Sequence, residues 1–136
     1  LYYLNLKGET PMEYLITPPE ATDWKINESE FIEHLSKQWS DIDIKAVRNP
    51  DDYYSLEWVI KVPGMGQRLD GVLHRDGQGI SLDGYLEDCA RFALWFRSLV
   101  PKTQQLVFYD QGYNSHIELT EETTESEIMQ PFLVLV

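Results

Sequence analysis

Three histidines and a single cysteine are the first places to look for chemistry in this chain: His34, His74, His116 and Cys89. No two histidines fall in an H-x-x-x-H or H-x-x-E-H arrangement, so metal-ligand spacing is missing. Asp41 and Asp43 bracket Ile42, but the glycine and terminal glutamate of a calcium loop do not follow. Cys89 could attack a substrate if an imidazole activated it. Its setting predicts otherwise. It stands between Tyr85 and Phe96 on an apolar helical stripe, where a thiol behaves as a small hydrophobe.

His74-Arg75-Asp76 has the order of a kinase catalytic loop, yet Ser81 stands where that loop needs asparagine. Asp76-Gly77 reads instead as a type I′ hairpin turn. Gly64-Met65-Gly66 lacks a third glycine and a following helix, so it reads as a hairpin loop and not a phosphate cradle. There is no G-x-S-x-G elbow, and nothing selects a carboxylate pair for glycoside chemistry. The expectation is no cofactor and no metal, with the chain leaning away from enzyme chemistry.

The elements that would position these side chains follow from periodicity. Met12 to Ile16 reads as a strand. Asn27 opens a helix with Glu30 placed to complete a capping box, and Phe31, Ile32, Leu35 and Trp39 mark its buried face. Ile44 to Val47 is a short strand. In Tyr54 to Val62 the residues Leu56, Trp58, Ile60 and Val62 alternate with polar ones, and in Arg68 to Arg75 Leu69, Gly71 and Leu73 oppose Asp70, Val72 and His74. Ile80 and Leu82 return the chain. Tyr85 to Leu99 is the clearest helix, with Leu86, Cys89, Phe92, Ala93 and Phe96 on one stripe. Gln105 to Tyr109 and His116 to Leu119 are strands, Thr124 caps a short acidic helix, and Phe132 to Val136 adds an edge strand or packs on the core. The order β-α-β4-α-β2-α predicts an α+β fold. A largely antiparallel sheet of about six to seven strands would carry two main helices on one face.

The 136 residues suit a single domain. The chain starts at Leu and Met12 opens a strand, so residues 1–11 read as an N-terminal extension. With one cysteine no internal disulfide can form, and no apolar run approaches membrane-spanning length. A cytoplasmic location is expected. The 23 acids outnumber 11 bases, giving a formal charge of −12. Such a surface repels phosphate backbones and anionic lipid, so neither nucleic acid nor membrane is an expected partner. No Lys or Arg follows Lys102, while Glu121 and Glu122 extend an acidic C-terminal region. A basic protein could use that field.

Two surface features suggest where. Trp95 lies about 280° around the second helix from Tyr85, off the buried stripe, with Arg91 one turn away to stack on it. The loop from Asp110 to Ser115 presents Tyr113 and Asn114. The leading expectation is therefore a binding protein using Trp95, Arg91, Tyr113, Asn114, Glu121 and Glu122 on a basic partner. The alternative is a small enzyme or ligand-binding domain. Its pocket would lie between sheet and helices, lined by Asp70, His74, Tyr109 and His116. A third reading is a homodimer through an exposed strand edge.

The opening strand-helix-four strands-helix order resembles the topology of TATA-binding-protein-like folds. The segment Arg91 to Pro101, continued through Leu106 to Asp110, Gly112-Tyr113 and Glu118 to Thr120, resembles small uncharacterised bacterial proteins and carries no catalytic motif. In size and charge the chain is similar to immunity proteins of bacterial toxin systems. That likeness implies an acidic surface that neutralises a basic toxin domain.

Overall fold

The computed structural model describes residues 3–4, 10–62 and 67–135; for residues 3, 4, 62, 67, 134 and 135 it describes the backbone alone. The hairpin loop expected at Pro63 to Gly66 and most of the expected N-terminal extension lie outside the described residues.

Alternation sets the strands and i, i+3, i+4 spacing sets the helices. The strands are β1 (Tyr3–Leu4), β2 (Met12–Thr17), β3 (Ile42–Ala46), β4 (Tyr54–Val62), β5 (Gln67–His74), β6 (Ile80–Gly84), β7 (Leu106–Asp110), β8 (His116–Leu119) and β9 (Val134–Leu135). The helices are α1 (Glu28–Gln38), α2 (Leu86–Leu99) and α3 (Glu125–Met129), the last running into a 3₁₀ turn over Gln130–Phe132. β1 pairs with β9. The other seven strands form one antiparallel sheet in the order β3-β4-β5-β6-β2-β7-β8. The predicted α+β architecture is the one observed.

The helix starts differ in how fully they are capped. Asn27 accepts the Glu30 backbone N–H at 3.0 Å, which is only half of the expected capping box. At α3 both halves form, Thr124 accepting from the Glu127 N–H and Glu127 from the Thr124 N–H. The Asp76-Gly77 turn is not type I′, because only Gly77 has positive φ, at 74°. The Gly77 N–H donates to the His74 carbonyl, and the loop closes with the His74 N–H on Gly79. A type I turn followed by a left-handed glycine satisfies the same dipeptide with a wider loop.

Both long helices pack on one face of the sheet. Tyr14, Ile16, Leu56, Trp58, Ile60, Leu69, Leu73, Leu82 and Phe108 meet Phe31 and Leu35 of α1 and Cys89, Phe92 and Phe96 of α2 in a continuous core. Trp58 stacks on Phe92 at 5.7 Å between ring centroids, and Phe92 stacks on Trp39 at 5.1 Å. Trp58 also lies across Gly71 on the neighbouring strand. A Cβ built on Gly71 would sit 2.2 Å from the indole. The glycine leaves the room the ring occupies. Burial of side chains this large contributes roughly 1.5–3 kcal/mol each.

Arg97 was not anticipated inside. Only 5% exposed, it donates from Nη1 to the Gln104 carbonyl at 2.8 Å and from Nη2 to Pro101 at 3.0 Å. It thereby ties the turn that carries the chain from α2 into β7.

Candidate functional site

The residues expected to line a pocket between sheet and helices lie on the opposite face. Asp70 and His74 alternate with buried Leu69, Gly71 and Leu73, and Tyr109 alternates with buried Phe108 and Asp110. Tyr109 pairs directly with His116 on β8, so both stand on the face the helices leave uncovered. The pleat decides this, since successive side chains must point to opposite sides.

Cross-strand register arranges the uncovered face in rows. One row runs Asp43, Val59, Asp70, Asp83 and Glu13 across β3, β4, β5, β6 and β2. The next runs Lys45, Glu57, Val72, Ser81, Leu15, Tyr109 and His116. Asp70, Asp83 and Glu13 thus occupy three successive strands, with Cβ atoms roughly 4.5–5.5 Å apart, where like charges repel. Two ion pairs offset charge on the β3-β4-β5 half. Arg68 grips Asp70 with two bonds of 2.9 and 2.7 Å, and Lys45 lies 3.7 Å from Glu57. The half formed by β6, β2, β7 and β8 contains no Lys or Arg.

Aromatic rings flank this acidic half. Tyr53 and Tyr113, at 63% and 54% exposure, are the exposed large hydrophobic side chains among the described residues. Tyr53 sits edge-on to His74 and helps line a shallow hollow with Glu13, Ser81 and Asp83. Burial, reinforced by the Glu13 charge, raises the Tyr53 hydroxyl pKa above its ordinary value. Tyr113 stacks on His116 at 5.2 Å and leans on Tyr109 at 4.9 Å. Its backbone is left-handed, φ 53°. Buried Asp110 holds the loop that presents it by accepting the N–H groups of Asn114 and Ser115 at 2.7 and 3.2 Å. The expected loop residues Tyr113 and Asn114 therefore do project from a fixed scaffold.

Other expectations need correction in part. Trp95 is half buried, as its place off the stripe predicts, and it packs against Trp39 at 4.6 Å and Phe92 at 5.2 Å, with Phe31 at 6.1 Å. Phe31 of α1 and Trp39 just past its end pack on one side of the indole. Arg91 turns to acidic partners instead of the ring, donating to Glu87 at 3.2 Å and lying 3.5 Å from Glu125. Glu121 and Glu122 stand exposed on the turn after β8, Glu121 lying 3.5 Å from Lys102. They do not join the open-face row.

His74 and Ser81 form the one contact here with catalytic dimensions, 2.8 Å between Nε2 and Oγ. Ser81 is 7% exposed and sits mid-strand between β5 and β2. Backbone amides there serve the sheet ladders, so none is free to stabilise an oxyanion. Burial pushes the His74 imidazole below its ordinary pKa, against the opposing charge of Asp76. Arg75 donates to the carbonyls of Val47, Asn49, Asp52 and Tyr54, and Asp76 accepts the Gln78 N–H at 2.9 Å. The kinase-like tripeptide is used to pin turns. Cys89 is fully buried, and burial holds its thiol far above the usual range, leaving no thiolate for attack. Among the described residues no three His, Cys, Asp or Glu side chains are grouped to hold a metal ion, and no helix is long and apolar enough to cross a membrane.

A pocket between sheet and helices does exist, at a different place. It opens between Ile60 and Leu69 of the sheet and Trp39, Asp88 and Phe92 of the helical layer. None of its lining residues was expected there. The open-face residues Glu13, Tyr53, Ser81 and Asp83 were likewise missed, although Glu13 and Asp83 fall on the polar side of alternating strands. Comparison with protein-family models, with curated proteins and with solved structures finds no match for this chain.

Proposed function

We propose that this chain is a non-catalytic interaction module that binds a basic partner protein through the open face of its sheet. The observation carrying this reading is the union, on one uncovered surface, of the Asp70-Asp83-Glu13 row with exposed Tyr53 and Tyr113. Facing carboxylates weaken a sheet, so a sequence that keeps them beside exposed rings is better explained by a ligand than by the fold. Tyrosines make rigid anchors at low entropic cost, and a carboxylate field speeds encounter with cations. An immunity-type inhibitor of a basic toxin domain is the specific form this reading takes.

The test is capture of a stoichiometric basic partner from the native host at low salt. The wild-type chain is compared with a Glu13→Lys/Asp83→Lys variant and with Glu33→Lys, a control on exposed α1 surface. Recovery should fall with salt and be lost in the open-face variant alone. Equal recovery by the open-face variant and the wild type would refute the assignment.

A further inference from the structure

Strand β3 ends the sheet: among the described residues it pairs with β4 alone. An edge strand leaves alternate N–H and C=O groups unspent. Which ones follows from the ladder, since the Val47 N–H donates to the Ser55 carbonyl and the Lys61 N–H to that of Asp41. Bonding in an antiparallel pair alternates along the strand, so Asp43 and Lys45 spend their backbone groups on β4. Ile42, Ile44 and Ala46 turn theirs outward. The side chains of these three lie half buried on the helix side, while Asp43 and Lys45 stand exposed on the open face.

We propose that β3 is a self-recognition edge: a second copy of this chain adds its own β3 antiparallel, with Ile44 opposite Ile44. A two-fold axis there makes the contact isologous. Ile44 exchanges backbone bonds with its counterpart, and Ile42 does so with Ala46. Asp43 of each copy then faces Lys45 of the other at a non-hydrogen-bonded position, where Cα atoms come within about 4.5 Å and opposite charges attract. Lys45 already leans toward Glu57 of its own chain, 3.7 Å away, and its ammonium has donors enough for a second carboxylate. Neighbouring registers do worse. Centring the pair on Asp43 or on Lys45 sets that residue against its own copy, and centring it on Ile42 sets Asp41 against Asp43. Slips that break the pleat would turn apolar side chains to the wrong face. The opposite edge, β8, holds His116 and Glu118 but neither Lys nor Arg, so it has no fixed pair of opposite charges to offer itself. Charge and backbone bonding thus agree on one edge and one register. The edge stands apart from the acidic row on β5, β6 and β2.

The test is sedimentation of the purified chain in about 0.15 M salt, where screening over roughly 8 Å quiets repulsion between two acidic copies but spares touching pairs. Wild type should pass from monomer to dimer as its concentration rises to about 1 mM, the weak end of specific association. Amide exchange should slow with concentration at Ile42, Ile44 and Ala46. Asp43→Lys and Lys45→Asp each set like charges together twice across the axis, and each should weaken association about tenfold or more. Mixing the two variants should restore a dimer, because each then meets opposite charge in the other. A monomer throughout, a dimer indifferent to Asp43→Lys, no heterodimer from two folded variants, or slowed exchange at β8 instead would overturn the proposal. The wild-type measurements and Asp43→Lys decide the matter even if Lys45→Asp, which faces Glu57, loosens the strand.

Discussion

Alternate residues of the same strands build two faces that share a backbone and differ in everything else. On the helix side, Trp58, Leu69, Leu82 and Tyr14 are buried, and Gly71 gives up its side chain so that an indole can lie flat across the strand. One register position away, Asp70, Asp83 and Glu13 face one another across adjacent strands. Tight complementarity rules the first face. The second tolerates repulsion and leaves tyrosines in water. A surface free of packing demands can be shaped by what it meets, which is why the contrast supports placing partner recognition on the open side.

Truncations should separate the faces most sharply. Trp58→Ala removes a ring packed on Phe92 and Phe31 and should cost about 3–5 kcal/mol in urea unfolding. Tyr53→Ala on the open face should change stability by less than about 0.5 kcal/mol. Comparable losses at the two sites would break the distinction. Gly71→Ala comes next. Its added methyl must displace the indole, and a loss of about 1–3 kcal/mol is expected, with the tryptophan near-UV circular dichroism signal altered.

The smallest effect is a pH response on the open face. Because burial lowers the His74 pKa beneath 6.5, the folded state favours the neutral ring while the unfolded chain takes up a proton near 6.5. Stability held above that pH is therefore lost as pH falls from 6.5 toward the folded value. His74→Asn should flatten the fall in urea midpoint between pH 7 and 5.5, and NMR titration should place the His74 pKa below 6.5. A titration at or above 6.5 would show the ring to be solvated and weaken the picture of a hydrogen-bonded His74-Ser81 pair.

Features that depend on near neighbours in sequence could be read in advance. The stripe of Leu86, Cys89, Phe92 and Phe96, the alternation of Leu56, Trp58 and Ile60, and the Thr124-Glu127 capping box all express periods of a few residues. The Asp76-Gly77 dipeptide was less decisive. It suits more than one loop, and only the pairing of His74 with Gly79 selects among them.

Sequence by itself determined the three helices, the seven strands of the main sheet and which side of β4 and β5 is apolar, because helical and pleated periods are local properties of the chain. Tertiary structure alone decided that β2 inserts between β6 and β7, bringing Glu13 beside Asp83 and Leu15 beside Tyr109. It also decided that Trp95 packs against Phe31 and Trp39 and that Asp88 lines a pocket. These outcomes depend on register and packing between segments dozens of residues apart, where many pairings satisfy the same hydrophobic pattern and only the assembled core chooses one.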